Sequence, residues 1–346
     1  MRHCRLAVLA AAVATWLALS ATARGDTAPG VWDRARDPQL EDTYRLHVEI
    51  QRRLTLSGDP GRSQLLLARA MLERANAETS PDVRLRFDLG NVYLRLGDVG
   101  KEYYQRSAKV LKAALRDAPD HPMAEESWLW LAFACGHTGE YACERDAYIQ
   151  VLRRASEEVL RATPLLNLAE TSMHLGDLAG AVEGYREALR ISSSIPSDTT
   201  APLAVWGLAV ALDRSGDRIE AEKQARFAIS LERSLGLRAP WGGSVSALLH
   251  SENVFFVPEY EVHWYDALGA AALARAATSA SEAAHLWRVA EEAFRAYVAR
   301  ATPTGDRWLE LAKARHATAK AEREKAERAR GKERPKSLGD GDEVTL

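Results

Sequence analysis

The sequence lacks the motifs on which most enzyme classes depend. It contains no G-x-S-x-G nucleophile elbow, no Walker loop, no H-E-x-x-H and no G-x-G-x-x-G between a strand and a helix. Its nine histidines are scattered along 346 residues. We therefore expect no enzymatic activity, no bound cofactor and no catalytic residues.

The group that most resembles a metal site is Glu259, Glu261 and His263. Glu259 and His263 would share one face of a helix, as a metal site requires. Pro258 followed by Glu259 is also typical of a helix N-terminus, where the dipole favours acidic side chains. We favour the second interpretation and expect no metal ligands here.

Aromatic residues and excess charge are also scarce. Aromatic residues make up 7% of the chain and hydrophobic residues 47%, which is typical of helices packed through Ala and Leu. The formal net charge of -2 and the pI of about 6.5 provide no general attraction to phosphate backbones or acidic lipids. The composition favours an all-α protein that does not bind nucleic acid.

Long apolar runs are absent except at the N-terminus. Arg2 and Arg5 precede the apolar stretch Leu6–Leu19, and Ala21-Thr22-Ala23 matches a cleavage site. About 14 apolar residues fall short of the roughly 20 that cross a bilayer. We expect residues 1–23 to be a cleaved signal peptide, with no stable membrane insertion. The Ala, Arg and Leu bias suggests a bacterial chain, so the mature protein is expected to be periplasmic or secreted.

What the chain does contain is a spacing that recurs three times. Each copy begins with a large residue followed directly by a small one, and a third motif residue comes three positions after the small one. A Gly then marks a turn, and the remaining motif residues follow this turn. The copies are Leu131, Ala132, Cys135, Gly139, Tyr148 and Val151; Leu168, Ala169, Ser172, Gly176, Ala181, Tyr185 and Ala188; and Leu208, Ala209, Leu212, Gly216, Ala221, Ala225 and Ala228. This spacing predicts pairs of short antiparallel helices whose backbones meet at the small positions.

The pattern resembles the tetratricopeptide repeat (TPR), and Trp128, Leu131 and Ala132 match its W-x-x-L-[GA] start. The resemblance implies a right-handed α-solenoid of TPR-like helix-turn-helix repeats that binds other macromolecules. Because a solenoid grows by stacking, it needs no second core. We expect one elongated domain over residues 81–315.

Two weaker copies flank the three clear ones. The first is opened by Leu89, Gly90, Tyr93 and Gly97 and completed by Ser107, Leu111, Ala114 and Leu115. The last is opened by Leu268 and Gly269 and completed by Ala290, Phe294 and Tyr297. Compared with the repeat pattern, the first gains roughly five residues between its helices and the last roughly nine.

The remaining segments are expected to close the two ends. Residues 24–80 form an N-terminal linker and a capping helix pair, Leu40–Leu56 and Arg62–Ala77, split by the breaker cluster Ser57–Gly61. Residues 316–346 form a charged helix and a disordered tail. Because this helix has no continuing apolar stripe, we expect it to leave the body of the protein as a solvated helix.

An aromatic insert at residues 236–260 does not match the repeat. It contains Trp241, Phe255 and Phe256, and such a long loop is too aromatic for disorder. Either these rings cover the fourth repeat and orient the fifth, or the insert lies along the concave surface as a lid. We favour the first alternative because exposed aromatic clusters are uncommon without a partner.

Cys135 and Cys143 are the two cysteines left after cleavage of the signal peptide. An oxidising compartment allows them to form a disulfide. The alternative is two buried thiols that act as small hydrophobic residues. Zinc is a poorer candidate, because the segment lacks C-x-x-C spacing and an obvious fourth ligand.

The TPR resemblance also implies which residues bind a partner. In such repeats the first helix of each pair lines the concave face, and the positions two before and two after the first motif Leu point inward. These positions are Phe87, Asn91, Leu129, Phe133, Leu166, Glu170, Trp206 and Val210. The resulting groove is mainly apolar and lacks the Lys and Arg set with which carboxylate-clamp relatives hold an acidic C-terminus.

We therefore expect an exported scaffold for protein–protein interaction that binds a protein or peptide partner, with Trp206 and Phe133 as anchors. An apolar groove suits an amphipathic helix or an extended segment with hydrophobic side chains. The alternatives are a structural subunit of a cell-envelope assembly and, third, a small-ligand or metal-binding receptor.

Overall fold

The computed structural model describes residues 30–55, 61–195, 198–237, 244–252 and 254–333. Helices account for most of these residues, and the described part contains no strand. The chain divides into two compact units, residues 1–196 and residues 197–346. The predicted signal peptide and most of the breaker cluster, Ser57–Pro60, lie outside the described residues.

The first unit has nine α-helices in its described part. They are α1 (Val31–Arg36), α2 (Pro38–Thr55), α3 (Arg62–Arg74), α4 (Val83–Leu96), α5 (Glu102–Asp117), α6 (Ala124–Thr138), α7 (Tyr141–Arg154), α8 (Ala162–Leu175) and α9 (Leu178–Ser192). Helices α4 and α5, α6 and α7, and α8 and α9 pack as consecutive pairs, and each pair also packs on the next. The predicted tandem arrangement of helix pairs is confirmed in this unit.

The second unit has five α-helices in its described part. They are α10 (Thr200–Ser215), α11 (Arg218–Ser234), α12 (Val262–Ala276), α13 (Ala280–Ala301) and α14 (Leu309–Glu333). Helices α10 and α11 form one pair, α12 and α13 form the next, and α14 packs along α13. None of the described helices is both long and apolar enough to cross a membrane.

The three predicted glycine turns end their first helices in the same way. Gly139, Gly176 and Gly216 adopt left-handed backbone conformations, with φ of 73°, 88° and 98°. In each case the next residue donates its backbone N–H to the carbonyl five residues earlier, at 2.9 to 3.0 Å. This arrangement satisfies carbonyl groups at the helix end and favours Gly, which has no Cβ atom to strain a positive φ.

The small residues of the motif allow the paired helices to approach closely. Ala132, Ala169 and Ala209 are buried, and so are the bulky partners Tyr148 and Tyr185 on the second helices. In the second clear repeat, a Cβ atom at Gly184 would lie 2.9 Å from the Cβ of Ala169. The sequence pattern therefore corresponds to the buried contact between paired helices.

The two weaker copies differ in where their extra residues lie. Helix α4 ends at Leu96 and α5 begins at Glu102, so the first copy has the expected longer connection. The expected insertion between α12 and α13 is wrong, because only residues 277–279 separate these helices. The extra residues instead lengthen α13 to 22 residues, and its added first turns bury Ala284 and Trp287.

Helices α2 and α3 form an additional pair before the first copy. Ile50 and Leu54 of α2 are buried in one cluster with Leu65 and Leu72 of α3. Helix α2 also contacts α4, where Gln51 Nε2 donates to Asp88 Oδ1 at 2.7 Å. The pair therefore packs directly on the first repeat copy.

The expectation that the C-terminal charged helix leaves the body of the protein is wrong for α14. Ala312, Ala319 and Ala326 are buried at a spacing of seven residues, which forms a narrow stripe along α13. Arg323 pairs with Glu291 of α13 at the edge of this stripe. Small residues bury little area individually but permit close helix packing, so a search for large apolar residues does not find such a stripe.

Candidate protein-binding face

The eight residues predicted to bind a partner differ in their exposure. Phe87, Asn91 and Leu166 are buried in the first unit, and Trp206 and Val210 are fully buried in the second. Leu129, Phe133 and Glu170 are partly exposed. Only these last three present substantial surface in this structure, and whether any of the eight binds a partner stays a prediction.

Asn91 and Phe87 contact other parts of the first unit. Asn91 accepts a hydrogen bond from Arg95 Nε at 3.1 Å, and Arg95 also donates to the backbone carbonyl of Leu54 in α2. The ring of Phe87 packs against that of His121, with centroids 5.4 Å apart. These contacts contribute to the packing of α4 against neighbouring segments.

Trp206 holds the aromatic insert in place rather than facing solvent. Its Nε1 donates to Glu232 Oε1 at 2.6 Å, and the carboxylate of Glu232 is itself buried. The same carboxylate accepts hydrogen bonds from Ser246 Oγ and from the backbone N–H groups of Ala247 and Leu248. A buried carboxylate with several donors fixes the groups around it, so Trp206 and Glu232 position the start of the insert.

The described part of the insert packs on its own unit. Ser244 Oγ lies 3.0 Å from Asp266 Oδ1, and His250 Nε2 lies 2.8 Å from Asp266 Oδ2. The ring of Phe256 contacts that of Tyr265 on α12. Phe255 is 44% exposed, and Trp241 lies outside the described residues. The contacts at Asp266 and Tyr265 attach the insert to α12, as expected if the insert orients the fifth repeat.

We call the partly exposed residues Glu126, Leu129 and Phe133 of α6 and Glu170 of α8 the α6–α8 face. On α6 the three residues are spaced by three or four positions, so they share one side of the helix. Phe133 also packs edge-on against Tyr148, at 6.4 Å between centroids. The face thus combines apolar side chains with the carboxyl groups of Glu126 and Glu170, of which only Glu170 was predicted from the sequence.

Burial changes the acidity of two carboxyl groups near this face. It raises the pKa of Glu126 to about 7, while the charge of Arg95 acts in the opposite direction. Burial and the neighbouring Glu170 charge raise the pKa of Glu144 to about 8. A carboxyl group that is protonated near neutral pH avoids much of the cost of burying a charge.

Sequence reasoning did not identify Glu126 and Glu144. Glu126 precedes Leu129 by three positions, so helical spacing alone could have placed it on the predicted face. Glu144 carries a weaker signal, because its environment is supplied by other helices. A Cβ atom at Gly136 would lie 2.8 Å from Glu144 Oε1, so this Gly provides space for the carboxyl group.

Cys135 and Cys143 are joined by a disulfide across the turn between α6 and α7, with Cα atoms 5.9 Å apart. Glu140 lies in the same turn, and its carboxylate pairs with Lys112 Nζ at 2.6 Å. The sulfur atoms and a Glu140 oxygen lie within 4.8 Å of one another. The geometry accommodates a disulfide, and its formation in the exported protein stays a prediction.

Glu261, one of the three residues that most resembled a metal site in the sequence, forms a buried ion pair in this structure. Its Oε2 pairs with Arg214 Nη2 at 2.6 Å, and its Oε1 accepts from Tyr297 at 3.1 Å. The Arg214 guanidinium carbon lies over the ring of Trp264 at 4.5 Å from its centroid and over that of Trp308 at 5.0 Å. The buried acid thus compensates a buried cation, which favours a structural role for Glu261.

A polar cleft lies between helices of the second unit, lined in part by Asp213, Glu222 and Arg315. Arg218 and Arg275 both pair with Glu222, whereas Arg315 pairs with Asp213. Carboxylates of the same unit therefore balance the charges of these three guanidinium groups. The pair between Arg315 and Asp213 also connects α14 to the end of α10. We do not assign a ligand to this cleft.

Comparisons with known proteins give structural similarities only. No protein-family model matches the chain, and no curated protein does. MamA of AMB-1 is 18% identical, with 55% of this chain and 97% of that protein covered and a TM-score of 0.42. BtubC from P. vanneervenii is 13% identical, with 90% and 96% covered and a TM-score of 0.39.

A signal-transduction ATPase from Pyrococcus horikoshii, described as carrying a tetratricopeptide repeat sensor, is 13% identical. The match covers 84% of this chain and 42% of that protein, with a TM-score of 0.45. The fold is TPR-like. This assignment rests on the helix pairs, the three glycine turns and the buried small residues of the chain itself.

Proposed function

We propose that this protein is an exported TPR-like scaffold that binds a protein partner through the α6–α8 face. The proposal narrows the apolar groove predicted from sequence to its partly exposed section. Buried Trp206, Val210 and Phe87 then support the helices instead of contacting the partner.

The observation that carries the proposal is the partial exposure of Leu129 and Phe133 on α6. Both lie at positions where the TPR resemblance places partner contacts, while the opposite side of α6 is packed into a core cluster through Leu131 and Cys135. Aromatic residues that become buried on association commonly dominate interface energies. Phe133 is therefore the expected main anchor.

Export is the second part of the proposal and is supported by the order of residues 1–23. The charged, apolar and small-residue segments follow the pattern of a cleaved signal peptide. The partner is accordingly expected among periplasmic, secreted or envelope proteins. A disulfide between Cys135 and Cys143 is compatible with such a compartment.

The test begins with affinity purification from the native envelope and identification of the partner by mass spectrometry. The affinity of the purified partner is then measured for the wild-type protein and for Phe133→Ser. We expect Phe133→Ser to lose about 2 kcal/mol of binding free energy, which corresponds to roughly a thirtyfold weaker affinity.

Ile219→Ser is the matched control because Ile219 is 86% exposed and lies on α11, in the other unit. It should leave the affinity unchanged. Equal affinity of wild-type protein and Phe133→Ser would reject the α6–α8 face as the docking site. Recovery of the chain only within a large stoichiometric assembly would favour a structural subunit of the envelope.

A further inference from the structure

A short segment of the aromatic insert, Ser244–His250, packs on the helices of the second unit, and we call it the strap. A Cβ atom at Gly269 of α12 would lie 2.6 Å from Val245 Cγ2 and 2.7 Å from Trp206 Cη2. The absence of this atom allows Val245 to approach α12 closely beside the Trp206 ring. The strap therefore packs directly against the body of its own unit.

The strap lies beside two positions that the TPR resemblance assigns to the concave surface. Trp206 on α10 and Asp266 on α12 each stand two residues before the first motif Leu of their helix, which is Leu208 in α10 and Leu268 in α12. Trp206 is fully buried, and Asp266 is nearly so. The chain's own insert thus occupies this part of the second unit.

The buried carboxylate of Glu232 holds the middle of the strap. It accepts a hydrogen bond from Ser246 Oγ and one each from the backbone N–H groups of Ala247 and Leu248, at 3.0 and 3.2 Å. Amide groups that form hydrogen bonds exchange slowly with solvent until the segment opens. These two N–H groups therefore report whether the strap is closed.

Asp266 attaches both ends of the strap. Ser244 Oγ lies 3.0 Å from Asp266 Oδ1, and His250 Nε2 lies 2.8 Å from Asp266 Oδ2. The Asp266 side chain is 9% exposed, so a charged donor stabilises its carboxylate more than a neutral donor does. Within the strap, His250 is the residue whose charge changes near neutral pH.

The titratable and charged groups that face His250 are Asp266 and His263 on α12 and Glu232 on α11. The hydrogen bond to Asp266 raises the pKa of His250. Burial, together with the charge of Arg300 on α13, lowers the pKa of His263, so His263 is largely neutral above pH 6.5. His250 is therefore the histidine of this group that holds a proton near neutral pH.

We propose that the strap is a pH-sensitive lid on the second unit, closed while protonated His250 pairs with Asp266 and opened more often once His250 loses its proton. The pair stabilises the closed strap fully below pH 6.5, the ordinary pKa of histidine. This stabilisation is lost as pH rises through the higher pKa that His250 has in the closed state. Opening would expose Leu248 and Leu249, which are buried in the closed strap. This inference goes beyond the proposed function and does not depend on the α6–α8 face.

Hydrogen exchange of the Ala247 and Leu248 N–H groups in the full mature chain measures how often the strap opens. Exchange is followed at pH 6.5 and at pH 9, and each rate is divided by the intrinsic rate at that pH. We expect the protection of these groups to fall about fivefold from pH 6.5 to pH 9, because a charge-assisted hydrogen bond becomes a neutral one.

His250→Gln should give equal protection at both pH values, because its amide can donate a hydrogen bond but does not titrate. Asp266→Asn removes the charge that pairs with His250 and should also abolish the pH dependence. His285→Gln is the control, because it removes an exposed histidine on α13 of the same unit and should behave like the wild-type protein. Thermal unfolding of each variant verifies that the fold is retained.

Equal protection of the wild-type strap at pH 6.5 and pH 9 would overturn the inference. An equal fall in wild-type protein and His250→Gln would also overturn it, because the titrating group would then be another residue. Neither result bears on the proposed function, which is decided separately by the affinity of the purified partner for Phe133→Ser.

Discussion

The carboxyl group of Glu144 makes the stability of the first unit depend on pH. Burial and Glu170 raise its pKa to about 8 in the folded protein, from an ordinary value of 4.5. Because the folded state holds this proton more tightly, the stabilising contribution is complete below about pH 4.5 and is lost as pH rises through about 8. Each unit of pKa shift corresponds to about 1.4 kcal/mol.

Glu144→Gln should therefore become progressively more stable than the wild-type protein as pH rises from 5 to 9. The difference in unfolding free energy between the variant and the wild-type protein should shift in favour of the variant by at least about 1 kcal/mol between pH 5 and pH 9. The reason is that the variant has no charge to bury at high pH. Urea unfolding at both pH values measures the difference. Glu183→Gln, on an exposed side chain of α9, should show no such trend, and parallel pH profiles of Glu144→Gln and wild-type protein would reject this account.

A substitution at Trp206 tests whether this residue, predicted from the sequence to anchor a partner, belongs to the core instead. Trp206→Ala removes a fully buried ring and one of the donors to Glu232, so it should destabilise the protein by about 3 to 5 kcal/mol. Thermal or denaturant unfolding measures this loss, and Ile219→Ala should stay within about 0.5 kcal/mol of the wild-type protein. A nearly unchanged unfolding free energy for Trp206→Ala would contradict its assignment to the core.

At the residue scale, spacing predicted the positions that depend on local geometry. Gly139, Gly176 and Gly216 were identifiable because a left-handed helix end favours Gly. The burial of Trp206 was not predictable, because it depends on Glu232 and on an insert that follows no repeat. The burial of Glu126 and Glu144 was not predictable either, because it results from packing between helices.

At the scale of elements, the alanine stripe of α14 is the clearest departure from expectation. Ala319→Leu should destabilise the protein by about 1 to 3 kcal/mol, because it forces a larger side chain into the contact with α13. Ala317→Leu is the matched control, since Ala317 is exposed two residues earlier on the same helix. Equal unfolding free energies for the two variants would show that α14 does not pack through this stripe in solution.

The link between α6 and α7 provides a second test at this scale. Oxidised protein should contain the Cys135–Cys143 disulfide, which closes a loop with a sequence separation of 8. On the chain-entropy model, such a bond stabilises by about 2 to 3 kcal/mol. Mass spectrometry of non-reduced peptides detects the bond, and unfolding with and without reductant measures its contribution. Two freely alkylated thiols in protein taken from an oxidising compartment would exclude it.

The paired helices were predictable because small and bulky residues recur at fixed spacing on buried surfaces. The sequence analysis placed the extra residues of the last copy in the connection before α13, whereas they lengthen α13 itself. The motif shows only where the second helix contacts its partner and not where that helix begins. Helix α14 was misjudged because charged residues dominate its sequence and its buried residues are only alanines. Both errors concern surfaces created by tertiary packing.

At the scale of the whole molecule, export is the prediction with the simplest readout. The mature chain should begin at Arg24 and fractionate with soluble periplasmic or secreted proteins, because residues 1–23 match a cleaved signal peptide. N-terminal sequencing of the native protein checks this. Full-length protein that retains Met1 and stays in the membrane pellet after a carbonate wash would contradict it.

The central claim, that a partner docks on the α6–α8 face, is tested most directly by site-specific photo-crosslinking in the native envelope. A photoreactive side chain replaces Leu129 in one protein and the exposed Ile219 in a second. We predict a discrete crosslinked partner from position 129 that is absent from position 219 and diminished by Phe133→Ser in the same chain. Crosslinking of that partner from position 219 alone, or from position 129 without sensitivity to Phe133→Ser, would contradict the account.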